Sequence, residues 1–263
     1  MAQSNSKQPL ILLTNDDGFY SSGIQVLRKK LESIGKVTVV APDNEKSATS
    51  LALTLHHPLR VKKIDASTYA VSGTPADCIY LAVQNILPSR PDFIFSGMNP
   101  GPNLGQQDIS YSGTVAGALQ GTFLDIPSIA VSTLPDGKGR FHFDFAADFI
   151  LSLTKRMIPD FFPRGITINI NIPAPPVQGV KLTKLGQKRY NPEIIIKKDP
   201  RERDYFWIGT GTPRAIGDKD SDVQIIQQRF ITVTPLHRDM TDYKILKNNQ
   251  FQSMFQETEY EFS

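Results

Sequence analysis

Short apolar runs rich in β-branched residues punctuate the first half of the chain: ILLT at 11–14, VTVVA at 37–41, FIFS at 93–96 and SIAVS at 128–132. Each is short and apolar enough to be buried on both faces, as the central strands of a parallel sheet are. Between the runs the apolar spacing becomes helical. Ile24, Leu27 and Leu31 fall on one face, with Gly35 where a C-cap would sit. Pro75 opens a helical stretch to Leu87 that places Ala76, Ile79, Tyr80, Val83 and Leu87 together. Further helices start near Ser112 and near Asp144, the latter carrying Phe145, Phe149, Leu153 and Met157. This alternation predicts βαβ units, hence an α/β fold with a mainly parallel sheet.

After ITININIPAPP at 166–176 the alternation stops and more polar, strand-like segments such as VKLTKL and ITVTPL follow, with a late helical turn over 241–246. The expected organisation is a catalytic core over 1–176 and a β-rich C-terminal appendage over 177–263. Strands that leave a core need a partner to satisfy their edges, so the appendage suits oligomerisation.

Composition narrows the class. With 40% hydrophobic and 21% charged residues the chain is ordinary globular protein, able to bury a sizeable core. A net charge of +3 without a run of like charges gives no support for nucleic-acid binding, so an anionic partner should be small. The single cysteine, Cys78, cannot form an intrachain disulfide, and the N-terminal run MAQSNSKQPLILLTNDDG has neither a signal peptide nor a membrane span. A cytoplasmic protein is expected.

In an open α/β sheet ligands bind beyond the carboxyl ends of the strands. Polar residues cluster there: NDDG after the first run, APDNEKSATS after the second and SGMNPGPNLG after FIFS, leading into YSGTVAG. Adjacent carboxylates at Asp16 and Asp17 repel each other unless a cation or a shared proton compensates. Asp-Gly is equally a turn dipeptide, although the helical pattern after Gly18 argues against a hairpin. Ser47, beside Lys46 and Ser50, and the amides of Asn99 and Asn103 add neutral oxygen donors, a set that suits magnesium or manganese. Taken singly each is an ordinary loop or cap residue; three strand ends converging favour the metal site. No cysteine or histidine cluster has zinc spacing. Ser112, Gly113 and Thr114 open a helix whose first amides could seat a phosphate, or could simply be N-capped. The segment SGMNPGPNLG lacks the Gly-Lys-Ser/Thr ending of a P-loop, which argues against an ATPase or kinase. His56 and His57 read as surface residues, His237 lies far in sequence from the acids, Cys78 reads as a small packing residue, and Trp207 as a core or subunit contact.

Together LTNDDG, VTVVAPDNEKSA, YAVSGTPADC, PDFIFSGMNPGPNLG, YSGTVAGALQG and IPSIAVS, with weaker echoes in YFWIG and VTPLHRDMTDY, resemble the SurE family of stationary-phase survival proteins, which are 5′/3′-nucleotidases. The resemblance implies a Rossmann-like three-layer core and one divalent cation (Mg2+ or Mn2+) per subunit held at Asp16, Asp17, Ser47 and Asn99, with Asp16 and Asp17 catalytic. It also implies phosphate contacts at Asn103, Ser112, Gly113 and Thr114, and hydrolysis of nucleoside monophosphates by in-line attack of a metal-activated water. A covalent aspartyl-phosphate route is the mechanistic alternative. Family members also cleave short polyphosphate and form homodimers or homotetramers that exchange C-terminal elements. Another phosphoester as main substrate, or a non-catalytic nucleotide-binding oligomer, are the rival readings. Two departures bear on substrate preference: QQDIS between Gly105 and Tyr111 is one residue longer than the family pattern, and GALQG carries glutamine where an acid is commoner.

Overall fold

The structure is a computed structural model that describes residues 8–157, 162–191, 193–209, 211, 213–216 and 218–256. Its centre is a nine-stranded sheet. The runs read from the sequence become β1 (Leu10–Thr14), β2 (Lys36–Pro42), β5 (Phe93–Pro100) and β6 (Ser128–Thr133). They are joined by β3 (Val61–Lys63), β4 (Thr68–Val71), β7 (Ile166–Ile172), β8 (Gly179–Leu182) and β13 (Phe230–His237), in the order β3-β4-β2-β1-β5-β6-β7-β13-β8. From β4 to β7 every neighbouring pair is parallel. The chain runs outward from β1 through β2 to β4, then returns to place β5 on the other side of β1. That reversal makes the carboxyl ends of β1 and β5 the switch point of the sheet, where a crevice must open.

Alternation along β1 divides the two faces. Ile11 and Leu13 pack with Ile24, Leu27 and Leu31 of α1 (Ser22–Leu31) and with Ala146, Ala147 and Ile150 of α5 (Phe143–Thr154). Leu12 faces the other way, onto Cys78 and Ile79 of α2 (Pro75–Leu81). On that second face α4 (Gly113–Phe123) adds Val115 and Ala118 against Ala130 of β6. Helix, sheet, helix is the three-layer architecture expected.

Local expectations changed in three places. Gly35 lies beyond the end of α1 and caps nothing with a left-handed turn; a Cβ there would meet the Pro9 carbonyl oxygen at 2.6 Å, so close approach is what demands glycine. The stretch from Pro75 to Leu87 is helical as expected but widens to a π-helical turn over Ala82–Ile86, and Tyr80 leaves the apolar face for solvent at 47% exposure. GQQDISY, to which the apolar pattern assigns no element, is a helix, α3 (Gly105–Tyr111).

The sheet also crosses the expected boundary at residue 176. β13 pairs antiparallel with β7, and β8 pairs with β13, so two segments assigned to the appendage extend the sheet itself. What leaves the sheet is a ribbon of β9 (Gln187–Arg189) with β12 (Arg214–Ile216), a hairpin of β10 (Ile194–Lys198) with β11 (Asp204–Ile208), a short α6 (Asp222–Ile225), and the terminal helices α7 (Tyr243–Leu246) and α8 (Asn249–Gln256). Among the described residues no helix is long and apolar enough to cross a membrane.

Candidate functional site

The loop after β1 is tied down by Asn15, whose side-chain amide donates to the Gly18 carbonyl oxygen at 2.9 Å and to Ser21 Oγ at 2.7 Å. This turns Asp16 and Asp17 into the switch-point crevice. Asp16 is 5% exposed and accepts a 2.5 Å hydrogen bond from the Thr114 hydroxyl. Burial pushes its carboxyl above the usual range, against the Thr114 hydroxyl and the backbone amides of Asp16 itself and of Thr114, which favour the charged form. Asp17 is pushed up to about 7, by burial first and then by the charges of Asp16 and Glu45. Its Oδ2 is buried and has no hydrogen-bond partner among the described residues.

The loop after β2 reaches across to the same crevice. Its Lys46 amide donates to the Asp16 carbonyl oxygen at 2.7 Å, and Ser50 is held to α3 by bonds to the carbonyl oxygens of Tyr111 and Ser110. Ser47 Oγ donates to Glu45 Oε1 at 2.7 Å, which leaves the hydroxyl lone pairs free to face a cation. Asn99, at the end of β5, donates its side-chain amide to the Gly101 carbonyl oxygen at 2.7 Å, and that bond orients the amide oxygen as the free ligand atom.

Asp16, Asp17, Ser47, Asn99, Asn103 and Ser112 all line one cavity of about 840 Å3, within the range for small-molecule sites. Thr114 does not reach it. Its side chain is fully buried and committed to Asp16, so any contact with a phosphate from this residue comes from its backbone. Ser112 is the N-cap of α4, accepting from the Val115 amide at 3.0 Å, and still has a proton to donate. Gly113 is required by crowding: a Cβ would stand 2.7 Å from Asp16 Cβ. His56, His57 and His237 are exposed and outside the cavity, as is Trp207 at 61% exposure. A second cavity, about 480 Å3, lies at the opposite ends of β5, β6 and β7 between Arg90 and Arg164, away from the switch point.

The outer wall holds residues that the sequence did not announce. Asp108 of α3, Tyr190 and Tyr111 line the cavity, and Asp108 binds Lys188 Nζ and the Tyr190 hydroxyl, at 2.6 Å for the latter. This bolts α3 to β9. The only sequence signal was the extra length of QQDIS, which carries Asp108.

Among the described residues no three His, Cys, Asp or Glu side chains are grouped to hold a metal, so a cation here depends on two carboxylates and neutral oxygens. The residues fit such a cation. Two neighbouring carboxylates, Asp16 buried and Asp17 half-buried with an oxygen that has no partner among the described residues, form a site that a divalent ion would neutralise, and a hydroxyl and an amide oxygen complete a hard-oxygen set.

Fold and site thus define an open α/β protein with an acidic, oxygen-rich pocket at its switch point. The family model described as "Survival protein SurE" matches residues 11–192. The chain is 44% identical over 239 residues to the protein named 5′-nucleotidase SurE of Geobacter sulfurreducens, covering 90% of each. It is 43% identical over 245 residues to the one of that name from Gemmatimonas aurantiaca, covering 91% of this chain and 96% of that one. The crystal structure of the SurE protein from Aquifex aeolicus superposes with a TM-score of 0.79 at 37% identity, covering 93% of this chain and all of that one. The chain belongs to the SurE family.

Proposed function

We propose that this protein is a nucleotidase of the cytoplasm that hydrolyses nucleoside 5′-monophosphates, and 3′-monophosphates as well, to nucleoside and phosphate with one bound Mg2+ or Mn2+. The observation that carries the proposal is the Asp16–Asp17 pair at the switch point, Asp16 buried and Asp17 half-buried with a buried oxygen that has no partner among the described residues, in a chain whose relatives are named 5′-nucleotidases.

Asp16, Asp17, Ser47 and Asn99 hold the cation. When bound, it supplies Lewis acidity toward a phosphoryl oxygen and makes water acidic enough to attack. Asn103, Ser112 and the amides at the start of α4 orient the phosphoryl group and stabilise charge on its equatorial oxygens. Water adds to phosphorus as the ester oxygen departs in line, and the nucleoside oxygen leaves as an alcohol once it takes up a proton. Asp17, whose Oδ2 has no hydrogen-bond partner among the described residues, is the carboxylate placed to accept, as general base, the proton of the attacking water. Glycine at 113 protects this geometry. Gly113→Ala is expected to lower kcat/KM about 10- to 100-fold by displacing Asp16 and to lower the melting temperature by roughly 2–10 °C, as overpacking a buried site does, read by steady-state kinetics and thermal unfolding.

The test of the function is phosphate release from a panel of nucleoside 5′- and 3′-monophosphates and from tripolyphosphate, with Mg2+, Mn2+ or chelator. The proposal expects metal-dependent release, fastest from nucleotides. Faster release from tripolyphosphate would move the function to that substrate, and no release with any metal would leave a binding protein.

The same reading includes an assembly. The β10–β11 hairpin exposes Ile194, Ile195, Ile196, Phe206, Trp207 and Ile208, the last at 77%, and large exposed apolar patches mark contact surfaces. A second copy covers the hairpin in a homodimer or homotetramer, with C-terminal elements exchanged. Ile208 and Gly209 also line the cavity, so assembly shapes the pocket rim. The double change Phe206→Asp and Trp207→Asp is expected to yield monomers in sedimentation velocity; an unchanged oligomer would contradict this.

A further inference from the structure

The segment ITININI interrupts a strand of β-branched residues with two asparagines, which are poor strand formers. In β7 the period of two sends its residues to opposite faces. Ile168, Ile170 and Ile172 pack into the core beside α1 and α5. Thr167, Asn169 and Asn171 occupy the other face and are fully buried. Threonine there meets α4, its hydroxyl 2.6 Å from that of Thr122. The carboxamides have a different use.

Both grip a single residue. Asn171 Oδ1 accepts from the Asn103 backbone amide at 2.8 Å, and Asn171 Nδ2 donates to the Asn103 carbonyl oxygen at 2.9 Å. Asn169 Nδ2 donates to the same carbonyl oxygen, also at 2.9 Å. Ser132, the register neighbour of Asn171 on β6, accepts from Asn103 Nδ2 at 2.7 Å. Asn103 sits in the connection from β5 to α3, between Gly101 at φ 144° and Gly105 at φ 72°. Loop backbone buried this way must find partners, and here side chains of β6 and β7 stand in for a strand ladder. Burying such an amide without a hydrogen bond costs roughly 2–7 kcal/mol, so the pairing also explains how Asn171 is tolerated inside the sheet, whereas Asn169 keeps a buried Oδ1 with no partner among the described residues.

We infer that Asn171, together with Asn169 and Ser132, is a positioning residue for the reaction: the three lock the peptide and the side chain of Asn103, and so fix where its amide meets the phosphoryl group. The inference rests on the phosphate role proposed for Asn103. The isoleucine face of β7 serves stability, and its asparagine face serves geometry at the site.

A double-mutant cycle separates these roles. The measurement is kcat/KM for AMP with Mn2+, in Asn103→Ala, Asn171→Val, Ser132→Ala and the two pairings of Asn103→Ala with a clamp change, beside Mn2+ affinity by electron paramagnetic resonance. Each clamp variant is expected to lose about 10- to 100-fold in kcat/KM, as a small misplacement of a reacting contact does. Mn2+ affinity stays within about twofold, and in the Asn103→Ala background either clamp change alters kcat/KM by less than about twofold. Ser132→Ala removes one oxygen and decides the matter if Asn171→Val fails to fold. Wild-type kcat/KM in the clamp variants, or losses that multiply in the double variants, would overturn the inference while leaving Asn103 in place. Full kcat/KM in Asn103→Ala would instead remove the phosphate role of Asn103, and the inference with it.

Discussion

Asp16→Asn is expected to lower kcat for nucleotide hydrolysis by about a thousandfold or more while raising the melting temperature of the metal-free protein. Lewis acidity at the phosphoryl group is worth several kcal/mol, and each decade of rate corresponds to about 1.36 kcal/mol. Losing one of two carboxylates forfeits most of that. The stability change has the opposite sign because burial holds both acids above the usual carboxylate range, with the charge of Asp16 adding to the shift of Asp17, so the ionised pair opposes folding near neutral pH. Asparagine keeps an oxygen for the Thr114 hydroxyl and removes one buried charge. Such an exchange of stability for activity is expected at a site built to receive a cation. Phosphate-release kinetics and thermal unfolding in chelator measure the two halves. A variant that keeps a tenth of its kcat, or that melts lower as well as working worse, would show that Asp16 has another role.

Asp222→Ala is the expected large loss of stability. The carboxylate is fully buried and, among the described residues, has no cationic partner. Instead it accepts from the backbone amides of Gly105, Gly186 and Val223, each at 2.8 Å. Those bonds knot the start of α3, the segment before β9 and the start of α6 into one unit. Stranding buried amides costs about 1–3 kcal/mol each, not additively, so a loss of ~3–5 kcal/mol is expected. For a chain of this size that lowers the melting temperature by roughly 6–15 °C. Because α3 carries Gln107, Asp108 and Tyr111 on the cavity wall, catalysis should weaken even below the melt. A shift under about 2 °C would mean that water replaces the carboxylate at these amides.

How much of this was legible in the sequence differs by element. β1, β2, β5 and β6 were readable because each is a short run buried on both faces, and α1 because Ile24, Leu27 and Leu31 lie on one helical stripe. α3 was not readable. GQQDISY has one aliphatic residue, Ile109, and its helix is held by distant partners, Asp222 at its start and Lys188 paired with its own Asp108. Nor could local pattern tell that β13 would join the edge of the main sheet, since ITVTPL looks the same in a separate appendage. Among the residues lining the cavity, Asp16, Asp17, Ser47, Asn99 and Asn103 stood out because each lies at or just after a strand end. Their supports did not: Thr114 meets Asp16 across 98 residues, and Asn171 meets Asn103 across 68.

The most direct test of the account is a crystal of the protein soaked in Mn2+ and measured for anomalous scattering at the manganese edge. The account predicts one strong peak per chain within coordination distance of Asp16, Asp17, Ser47 and Asn99, absent in Asp16→Asn. A peak elsewhere, or none at this pair of carboxylates in a protein whose hydrolysis needs Mn2+, would contradict it.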